Sequence, residues 1–353
     1  KNINKNALLK QYIPWKNRIN GGDYQGTYNY LKNSYYDGYL NNIFPEIRHG
    51  DVVYEQWQHD TQQHYTLNEN NLAPLKKCST EIKDQQLPFS IDFIDLYLLP
   101  QQIGIFSIKL TFCDEKHLTL GHISDTIKRV RQFSTHLQFD GFQKTLKQLI
   151  DQDILQHMNI STAWENFNPQ LKTYTIIDLA ETFPEQDLNE LLFDMGNVSP
   201  IGSAAGNSLF SPSQEYYEEQ LGNNKISIFK NWSALTLYDT FTRISMNFPD
   251  RFRTWEYDFF NVYIYSLYMK SFLYFTSTRL SDVTNASSEN EKIRDQFVEF
   301  VNDYHHTQIS YKFLPDLLKD KIANALDIPA ELDRMEVKIK RINQHIQEKR
   351  QQN

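Results

Sequence analysis

The spacing of apolar residues divides the chain into an alternating first part and a helical second part. The clearest alternation is Phe106, Ile108, Leu110 and Phe112, each separated from the next by a polar residue. A period of two residues is typical of a strand with one face on a core. The break at residues 100–102, which includes a proline, predicts a hairpin connection between this strand and the apolar run before it.

Helical and strand patterns interleave up to about residue 245. Residues 120–133 and 142–158 carry apolar side chains every three or four positions, as expected for amphipathic helices that lie on a sheet. Further strands are predicted at residues 51–57, 174–180, 226–230 and 233–241. Helices covering a mixed sheet explain this order, so the predicted fold class is α+β with an α/β/α layered mixed sheet.

Residues 194–214 contain Gly, Ser, Asn and Pro in close succession and few large apolar residues, which predicts a long mobile loop. Two interpretations stay open, a plain flexible loop and a lid or ligand-contacting loop. The residues that would contact a ligand are Gly202, Ser203, Gly206, Asn207 and Ser208. Their spacing does not match a P-loop, which needs a lysine directly after its second glycine.

After residue 248 only helical patterns occur. We expect one long helix at residues 250–280, a turn at 284–290 and a second helix at 291–326 that is adjusted at Pro315. Two long helices joined by a short polar turn form an antiparallel pair.

The run from Phe259 to Phe275 is the most apolar and aromatic part of the chain. It spans seventeen residues and contains Asn261 and Lys270, whereas a bilayer-spanning helix needs about 20 predominantly apolar residues. We therefore expect a helix that is buried against several neighbours at once.

The last segment has a heptad-like pattern that predicts the start of a coiled-coil stalk helix. The seam residues, spaced by three and four, are Leu332, Met335, Ile339, Ile342 and Ile346. Lysine and arginine accumulate toward the end of the segment, where either the helix frays or the natural protein continues.

Length and composition refine this organisation. The 353 residues suggest three segments: a ligand-sensing domain (1–250), the helix pair (251–328) and the start of the stalk (329–353). The net charge of −8 argues against general nucleic-acid binding, because neutralising phosphates requires an excess of basic residues. Cys78 and Cys113 have no metal-like spacing and suggest a reduced, cytoplasmic protein.

Candidate chemistry is sparse. Arg129 and Arg131, near the end of a predicted helix, suit an anionic ligand, and the alternative is a solvated helix face. Neither the histidines at 59 and 64 nor those at 305 and 306 have the spacing that puts two imidazoles on one helix face. No nucleophile-elbow motif is present, so we predict that the chain is not an enzyme.

The order of elements resembles the CorA-like family of divalent-cation channels. The stretch LYLLPQQIGIFSIKLTF resembles the hairpin of that family, and FKNWSALTLYDTF resembles its strand pair with a central tryptophan. FFNVYIYSLYMKSFLYF and IRDQFVEFVNDYHHTQIS resemble its first and second long helices, and the heptad segment from Leu332 resembles the top of its stalk helix. The resemblance covers about residues 90–353.

The resemblance implies a homo-pentamer in which an α/β/α domain and antiparallel helices lie in the cytoplasm, while the stalk leads to pore-lining membrane helices. In metal-transporting members, Mg²⁺ or another divalent cation at subunit interfaces gates the pore. The family's Gly-Met-Asn signature and both membrane helices are absent from these 353 residues. We therefore expect a cytoplasmic gating portion, located at the cytoplasmic face of the bacterial inner membrane.

Three alternatives remain. A branch of CorA-like proteins associated with type III CRISPR defence responds to SAM-AMP, a conjugate of S-adenosylmethionine and AMP, and the loop, the arginines and the aromatic content would suit such a ligand. A soluble nucleotide-processing enzyme, with residues 194–214 as a lid, is the second. A scaffold that only oligomerises through its coiled coil is the third.

Overall fold

The computed structural model describes most of the chain but not all of it. The described residues are 15–17, 30–43, 63–82, 85–112, 118–156, 170–206, 208–209, 211–247, 252, 254–282 and 287–352. The predicted strand at 51–57, His59, Cys113, Asn207 and part of the predicted turn at 284–290 lie outside them. The predicted α+β fold followed by long helices is confirmed.

The chain divides into two compact units. The first comprises residues 1–18, 65–96 and 106–252, and the second comprises residues 19–64, 97–105 and 253–353. The three segments predicted from the sequence (1–250, 251–328 and 329–353) have different boundaries from these units. The functions assigned to the segments stay predictions.

Seven strands among the described residues form an antiparallel sheet in which β4 has several neighbours. The strands are β1 (Trp15–Asn17), β2 (Gln63–Leu67), β3 (Lys77–Ile82), β4 (Gln85–Leu99), β5 (Ile103–Phe112), β6 (His136–Phe139) and β7 (Gln143–Thr145). Their order is β1-β2-β4-β3-β6-β7, and β5 also pairs with β4. The predicted hairpin is present, because β4 ends at Leu99 and β5 begins at Ile103.

Strand β5 differs from its predicted environment. The alternating residues from Phe106 to Phe112 are half-buried, and so are most of the polar residues between them. Among the described strands β5 pairs only with β4, so it lies at an edge of the sheet.

A second sheet of four strands has both parallel and antiparallel pairs. Its strands, in spatial order, are β8 (Thr173–Leu179), β11 (Thr240–Met246), β10 (Trp232–Thr236) and β9 (Lys225–Ile226). Strand β8 runs parallel to β11, and the other pairs are antiparallel. The predicted strands are therefore distributed over two sheets.

Two strand predictions in this region are wrong in extent. The predicted strand at 233–241 is a hairpin that turns at residues 237–239, where the Leu237 N–H donates to the Thr240 carbonyl (2.8 Å). Tyr238 and Asp239 occupy the turn, and the second strand continues to Met246. The predicted strand at 226–230 is limited to β9, because residues 228–231 form bends and turns.

The first unit contains five of the described helices. They are α2 (Glu69–Leu72), α3 (Leu120–Val130), α4 (Leu146–Leu149, continued by a π-helical turn Ile150–Leu155), α5 (Glu185–Asn197) and α6 (Gln214–Asn224). Helix α5 packs on β10 and β11, and its Leu191 and Leu192 share a core with Leu235 and Ile244. Ile127 of α3 joins the same core, so α3 is amphipathic as predicted.

The second unit is mainly helical. It contains α1 (Asp37–Ile43), α7 (Phe260–Asp282, preceded by a π-helical turn Thr254–Phe259), α8 (Ser287–Asp303), α9 (Phe313–Ala325) and α10 (Ile328–Gln352). The predicted second helix at 291–326 is wrong, since residues 304–312 separate α8 from α9. The backbone there bonds to residues 34–36, and Pro315 lies in the first turn of α9, where its missing N–H costs little.

Helices α7 and α8 are antiparallel to each other, and α10 runs parallel to α7. Arg279 near the end of α7 pairs with Glu289 near the start of α8 (2.9 Å), which makes these two helices antiparallel as predicted. Lys270 of α7 pairs with Glu331 of α10 (2.6 Å), and one step of seven residues later Ser277 accepts a bond from Lys338 (3.1 Å). Equal steps in the same direction show that α10 runs parallel to α7.

The predicted stalk seam lies on the side of α10 that contacts its own chain. Leu332, Met335, Ile339 and Ile346 are buried and Ile342 is half-buried, and α10 contacts α7, α8 and α9. A coiled coil between subunits along the same stripe stays a prediction. None of the described helices combines the length and the apolarity that crossing a bilayer requires.

Candidate ligand-binding site

A polar depression of about 590 Å³ lies on the first unit. Its lining includes Glu81, Arg129, Gln132, Ser134, His136 and Gln143. These residues come from β3, the last turn of α3, the connection to β6, the start of β6, and β7. The depression therefore contains one of the two arginines that the sequence proposed for an anionic ligand.

Local hydrogen bonds fix the connection that carries most of this lining. Helix α3 begins at its N-cap Thr119, whose hydroxyl accepts the His122 N–H (3.2 Å). At the other end, the N–H of Gln132 donates to the Arg129 carbonyl (3.0 Å), and the Thr135 hydroxyl donates to the same carbonyl. The tight turn that results directs the chain into β6 directly beside Arg129.

The lining can recognise a negative charge and hydroxyl groups. Arg129 is exposed, and a guanidinium group presents five N–H donors in a planar arrangement that matches phosphate and carboxylate oxygens. Gln132, Gln143 and Ser134 can both donate and accept hydrogen bonds. The described lining contains no phenylalanine, tyrosine or tryptophan, and the imidazole of His136 is its aromatic group.

Arg131 has a different role. Its side chain is buried, its Nε donates to the Leu171 carbonyl (3.0 Å), and its guanidinium lies 3.6 Å from the Asp239 carboxylate. Lys172 contacts the same carboxylate at 3.0 Å. Arg131 therefore ties the end of α3 to the turn between β10 and β11, and its predicted ligand contact stays a prediction.

The predicted mobile loop is more organised than expected, and helix occupies both of its ends. Residues 194–197 complete α5, and Gln214 begins α6. Val198 ends α5 in the left-handed conformation, and Gly202 and Gly206 also have positive φ angles, where glycine avoids the strain that other residues incur.

A buried carboxylate organises the connection after α5. The Asp194 side chain accepts the N–H of Gly202 (2.7 Å), the N–H of Ala204 (2.9 Å) and the Ser199 hydroxyl (3.2 Å). Burial raises the pKa of Asp194, and the amide bonds act in the opposite direction. These amides already bind a carboxylate, so they are not free to bind a ligand.

The other loop residues are held locally as well. The Ser203 hydroxyl donates to the Pro200 carbonyl (2.6 Å), and the Ser208 carbonyl accepts from the Ser211 hydroxyl (2.7 Å). Neither they nor Gly202 and Gly206 line the depression at Arg129. As far as the chain is described, the structure thus does not bring the two predicted groups of site residues together, and the predicted contacts of the loop with a ligand stay predictions.

The second unit contains a buried cluster of tyrosines around one carboxylate. The Tyr35 hydroxyl donates to Asp258, and the Tyr35 ring stacks on Tyr39 with centroids 5.1 Å apart. Tyr265 meets Tyr39 edge-on, with centroids 5.3 Å apart. Burial raises the pKa of Asp258 to about 6, while the bond from Tyr35 and the charge of Lys312 partly oppose this shift.

The cluster continues to the histidines between α8 and α9. The Tyr265 hydroxyl donates to the Tyr304 carbonyl (2.7 Å) and accepts a hydrogen bond from the backbone N–H of His306 (3.0 Å). Burial lowers the pKa of His306, and the nearby charges of His305 and Lys319 lower it further. Sequence reasoning missed this cluster, because Tyr35 and Asp258 are 223 positions apart and neither belongs to a motif.

Metal coordination has little support among the described residues. They include no group of three or more His, Cys, Asp or Glu side chains that could hold a metal ion. His64, one of the histidines considered in the sequence, stacks on Tyr97 with ring centroids 4.1 Å apart.

The depression at Arg129 is therefore the candidate ligand site of the first unit. The tyrosine cluster around Asp258 is a buried cluster of titratable side chains in the second unit. Comparison with known protein families, with curated proteins and with solved structures finds no significant match to this chain.

Proposed function

We propose that this chain is the non-enzymatic, ligand-sensing part of a CorA-like membrane channel and that it controls the pore from the cytoplasmic side. The observation that carries the proposal is the arrangement of the long helices. An α+β unit is followed by the antiparallel α7 and α8, by the shorter α9, and by α10, which is long, parallel to α7 and rich in basic residues toward its end. An antiparallel pair of long helices that precedes a long stalk helix is the order that the resemblance implies.

The depression at Arg129 is the proposed sensing site. Its single exposed arginine and its amide and hydroxyl groups suit a small phosphorylated or carboxylated ligand that also carries hydroxyl groups. The described lining has one imidazole, His136, and no phenylalanine, tyrosine or tryptophan, which favours recognition of phosphate and hydroxyl groups over stacking of a base.

Gating requires that the ligand bind the open and closed states with different affinities. Coupling free energies of this kind are about 1 to 3 kcal/mol. A ligand that binds both states equally would shift no equilibrium. The proposal therefore predicts that a bound ligand changes the stability of the protein as well as occupying the depression.

The sensing site can be tested by thermal unfolding in the presence of phosphate esters, adenine nucleotides including SAM-AMP, and Mg²⁺. A ligand at 100 times its dissociation constant stabilises the folded state by about 2.7 kcal/mol. Arg129→Gln should abolish this stabilisation. Lys128→Gln is the matched control, because Lys128 is exposed in the same turn of α3 and does not line the depression.

Equal stabilisation of the wild type and of Arg129→Gln would place the ligand elsewhere. The channel assignment has a separate test, namely whether the gene encodes two apolar segments of about 20 residues after Asn353. If it does not, the channel assignment fails, whereas the result at Arg129 stands. If it does, light scattering on the full-length protein should show a pentamer.

A further inference from the structure

A second depression, of about 540 Å³, lies on the helical unit and has a different chemistry. Its lining includes Tyr36, Tyr311, Lys312, Phe313, Asp316 and Asp320. Three aromatic rings and two carboxylates therefore surround one small volume. None of the site residues predicted from the sequence lies in this region, and the proposed sensing site does not involve it.

Backbone hydrogen bonds position the two tyrosines. The Tyr36 N–H donates to the Ile309 carbonyl (3.0 Å), and the Tyr311 N–H donates to the Ser34 carbonyl (3.0 Å). This short antiparallel bridge places the two rings with their centroids 4.1 Å apart. Their arrangement is therefore part of the fold and does not depend on a ligand.

Aromatic side chains at this depression are unusually accessible. Tyr311 is 64% exposed and Phe313 is 72% exposed. Single exposed apolar residues are normal on protein surfaces, but here they are adjacent and border a depression. Phe313, Asp316 and Asp320 follow one another by three and four positions, so they share one face of α9.

Two carboxylates and one lysine lie at the depression. Lys312 is directed to Tyr30, with its ammonium group 4.7 Å from the ring centroid and 3.4 Å from the hydroxyl. One carboxylate oxygen of Asp316 accepts the Ile309 N–H (2.8 Å), which holds this carboxylate in place. Asp320 contacts the neighbouring Lys319 (3.1 Å) but remains 64% exposed.

We propose that this depression binds a small organic cation that carries a quaternary ammonium group. The face of an aromatic ring attracts such a cation within about 6 Å of the ring centroid. The carboxylates of Asp316 and Asp320 add long-range attraction, and they repel anions. The faces of Tyr311 and Phe313 contact the alkyl groups of the ligand.

The proposal can be tested with choline and tetramethylammonium, titrated against the full chain and followed by tyrosine fluorescence and by NMR. Asp316→Asn retains an oxygen that can accept the Ile309 N–H, so the fold is preserved while the charge is lost. This variant and Phe313→Ala should each weaken binding about fivefold or more, which corresponds to about 1 kcal/mol. Asp333→Asn, an exposed carboxylate on α10, is the matched control and should bind like the wild type.

Phosphatidylcholine vesicles at the same headgroup concentration distinguish the two sources of a choline group. Binding to free choline assigns the site to a soluble cation, and binding to vesicles alone assigns it to a lipid headgroup. The proposal is overturned if neither binds at about 10 mM, if inorganic phosphate binds instead, or if Asp316→Asn and Phe313→Ala bind like Asp333→Asn. Arg129→Gln should leave this binding unchanged, which separates it from the proposed sensing site.

Discussion

At the scale of single residues, two buried carboxylates illustrate opposite ways of holding a charge. Asp194 is surrounded by backbone amides that favour its ionised form, whereas the described groups around Asp258 are mainly phenol rings. Both pKa values are raised by burial, yet only for Asp258 does the shift reach about 6. The two sites should therefore respond differently to mutation and to pH.

Asp258 should make the stability of the protein depend on pH. A pKa raised from 3.8 to about 6 means that the folded state favours the protonated carboxyl. This contribution is complete below about pH 4 and is lost as the pH rises through 6. Relative to Asp258→Asn, the wild type should lose about 2 kcal/mol of unfolding free energy between pH 4 and pH 7, measured by urea denaturation.

Tyr35→Phe is the companion variant for that experiment. The bond from Tyr35 lowers the pKa of Asp258, so removing the hydroxyl should move the pH window upward. Parallel stability curves for wild type and Asp258→Asn would show that Asp258 is not the responsible group.

Asp194→Ala should destabilise the first unit by about 1 to 3 kcal/mol, because the N–H groups of Gly202 and Ala204 lose their acceptor. Limited proteolysis should then cleave near residues 200–206, which the wild type resists. Glu215→Ala, at an exposed position of α6, is the control and should change neither property. Unchanged stability of Asp194→Ala would mean that water replaces the carboxylate without cost.

At the scale of elements, the approach of α5 to β10 depends on one glycine. A Cβ atom on Gly196 would lie 2.7 Å from a methyl carbon of Leu235, whereas nothing lies within 4 Å of the same position on Gly222 in α6. Alanine is the better helix former by about 1 kcal/mol in both helices. The two substitutions should therefore have opposite signs.

Gly196→Ala should destabilise the protein by about 1 to 3 kcal/mol, because Leu235 is fully buried and cannot move away. Gly222→Ala should stabilise it by about 0.5 to 1 kcal/mol. Each substitution is made alone in the wild-type chain, and the change in unfolding free energy is measured by chemical denaturation. A stabilising Gly196→Ala would mean that α5 can shift along the sheet.

The elements also show which parts of the structure local patterns can predict. The sequence predicted the β4–β5 hairpin at residues 100–102, the amphipathic α3 and the buried α7. The periodicity of apolar residues and the residues that interrupt it are local signals. Helix α5 was missed although Leu188, Leu191, Leu192 and Met195 have helical spacing, since the Gly- and Ser-rich residues that follow drew the interpretation toward a loop. The break between α8 and α9 could not be predicted, because it depends on pairing with residues 34–36.

The candidate site, like the helices and strands, was predictable only where its signal is local in the sequence. Arg129 was identified because an arginine near a helix end is a recognisable local feature. Its partners Gln132, His136 and Gln143 come together through the turn and the pairing of β6 with β7, which no spacing in the sequence specifies. Arg131 had the same local signal and proved to be part of the framework, since Asp239 reaches it from a distant turn.

At the scale of the whole molecule, β4 is continuous across the two units. Its residues up to Leu96 belong to the first unit and those from Tyr97 to the second. Separate domains often unfold separately, but a strand that is shared by both cannot be lost from one without disturbing the other. We therefore expect one cooperative transition.

Chemical labelling of the Cys78 thiol can test whether the two units unfold together. Cys78 is buried, and burial raises the pKa of its thiol to about 12, so it should react with iodoacetamide only after unfolding. In a Cys113→Ser variant, the denaturant midpoint for Cys78 labelling, which reports on the first unit, should equal the midpoint for loss of helical circular dichroism. Labelling at clearly lower denaturant would show that the first unit unfolds alone.

The burial of α7 has a consequence for how the chain can change over generations. Four successive residues, Val262, Tyr263, Ile264 and Tyr265, are each at most 3% exposed, and four successive positions point to all sides of a helix. In an ordinary surface helix the buried positions recur every three or four residues, and the positions between them are free to vary. Over residues 262–265 a saturation scan should find no such rhythm, because all four positions are buried.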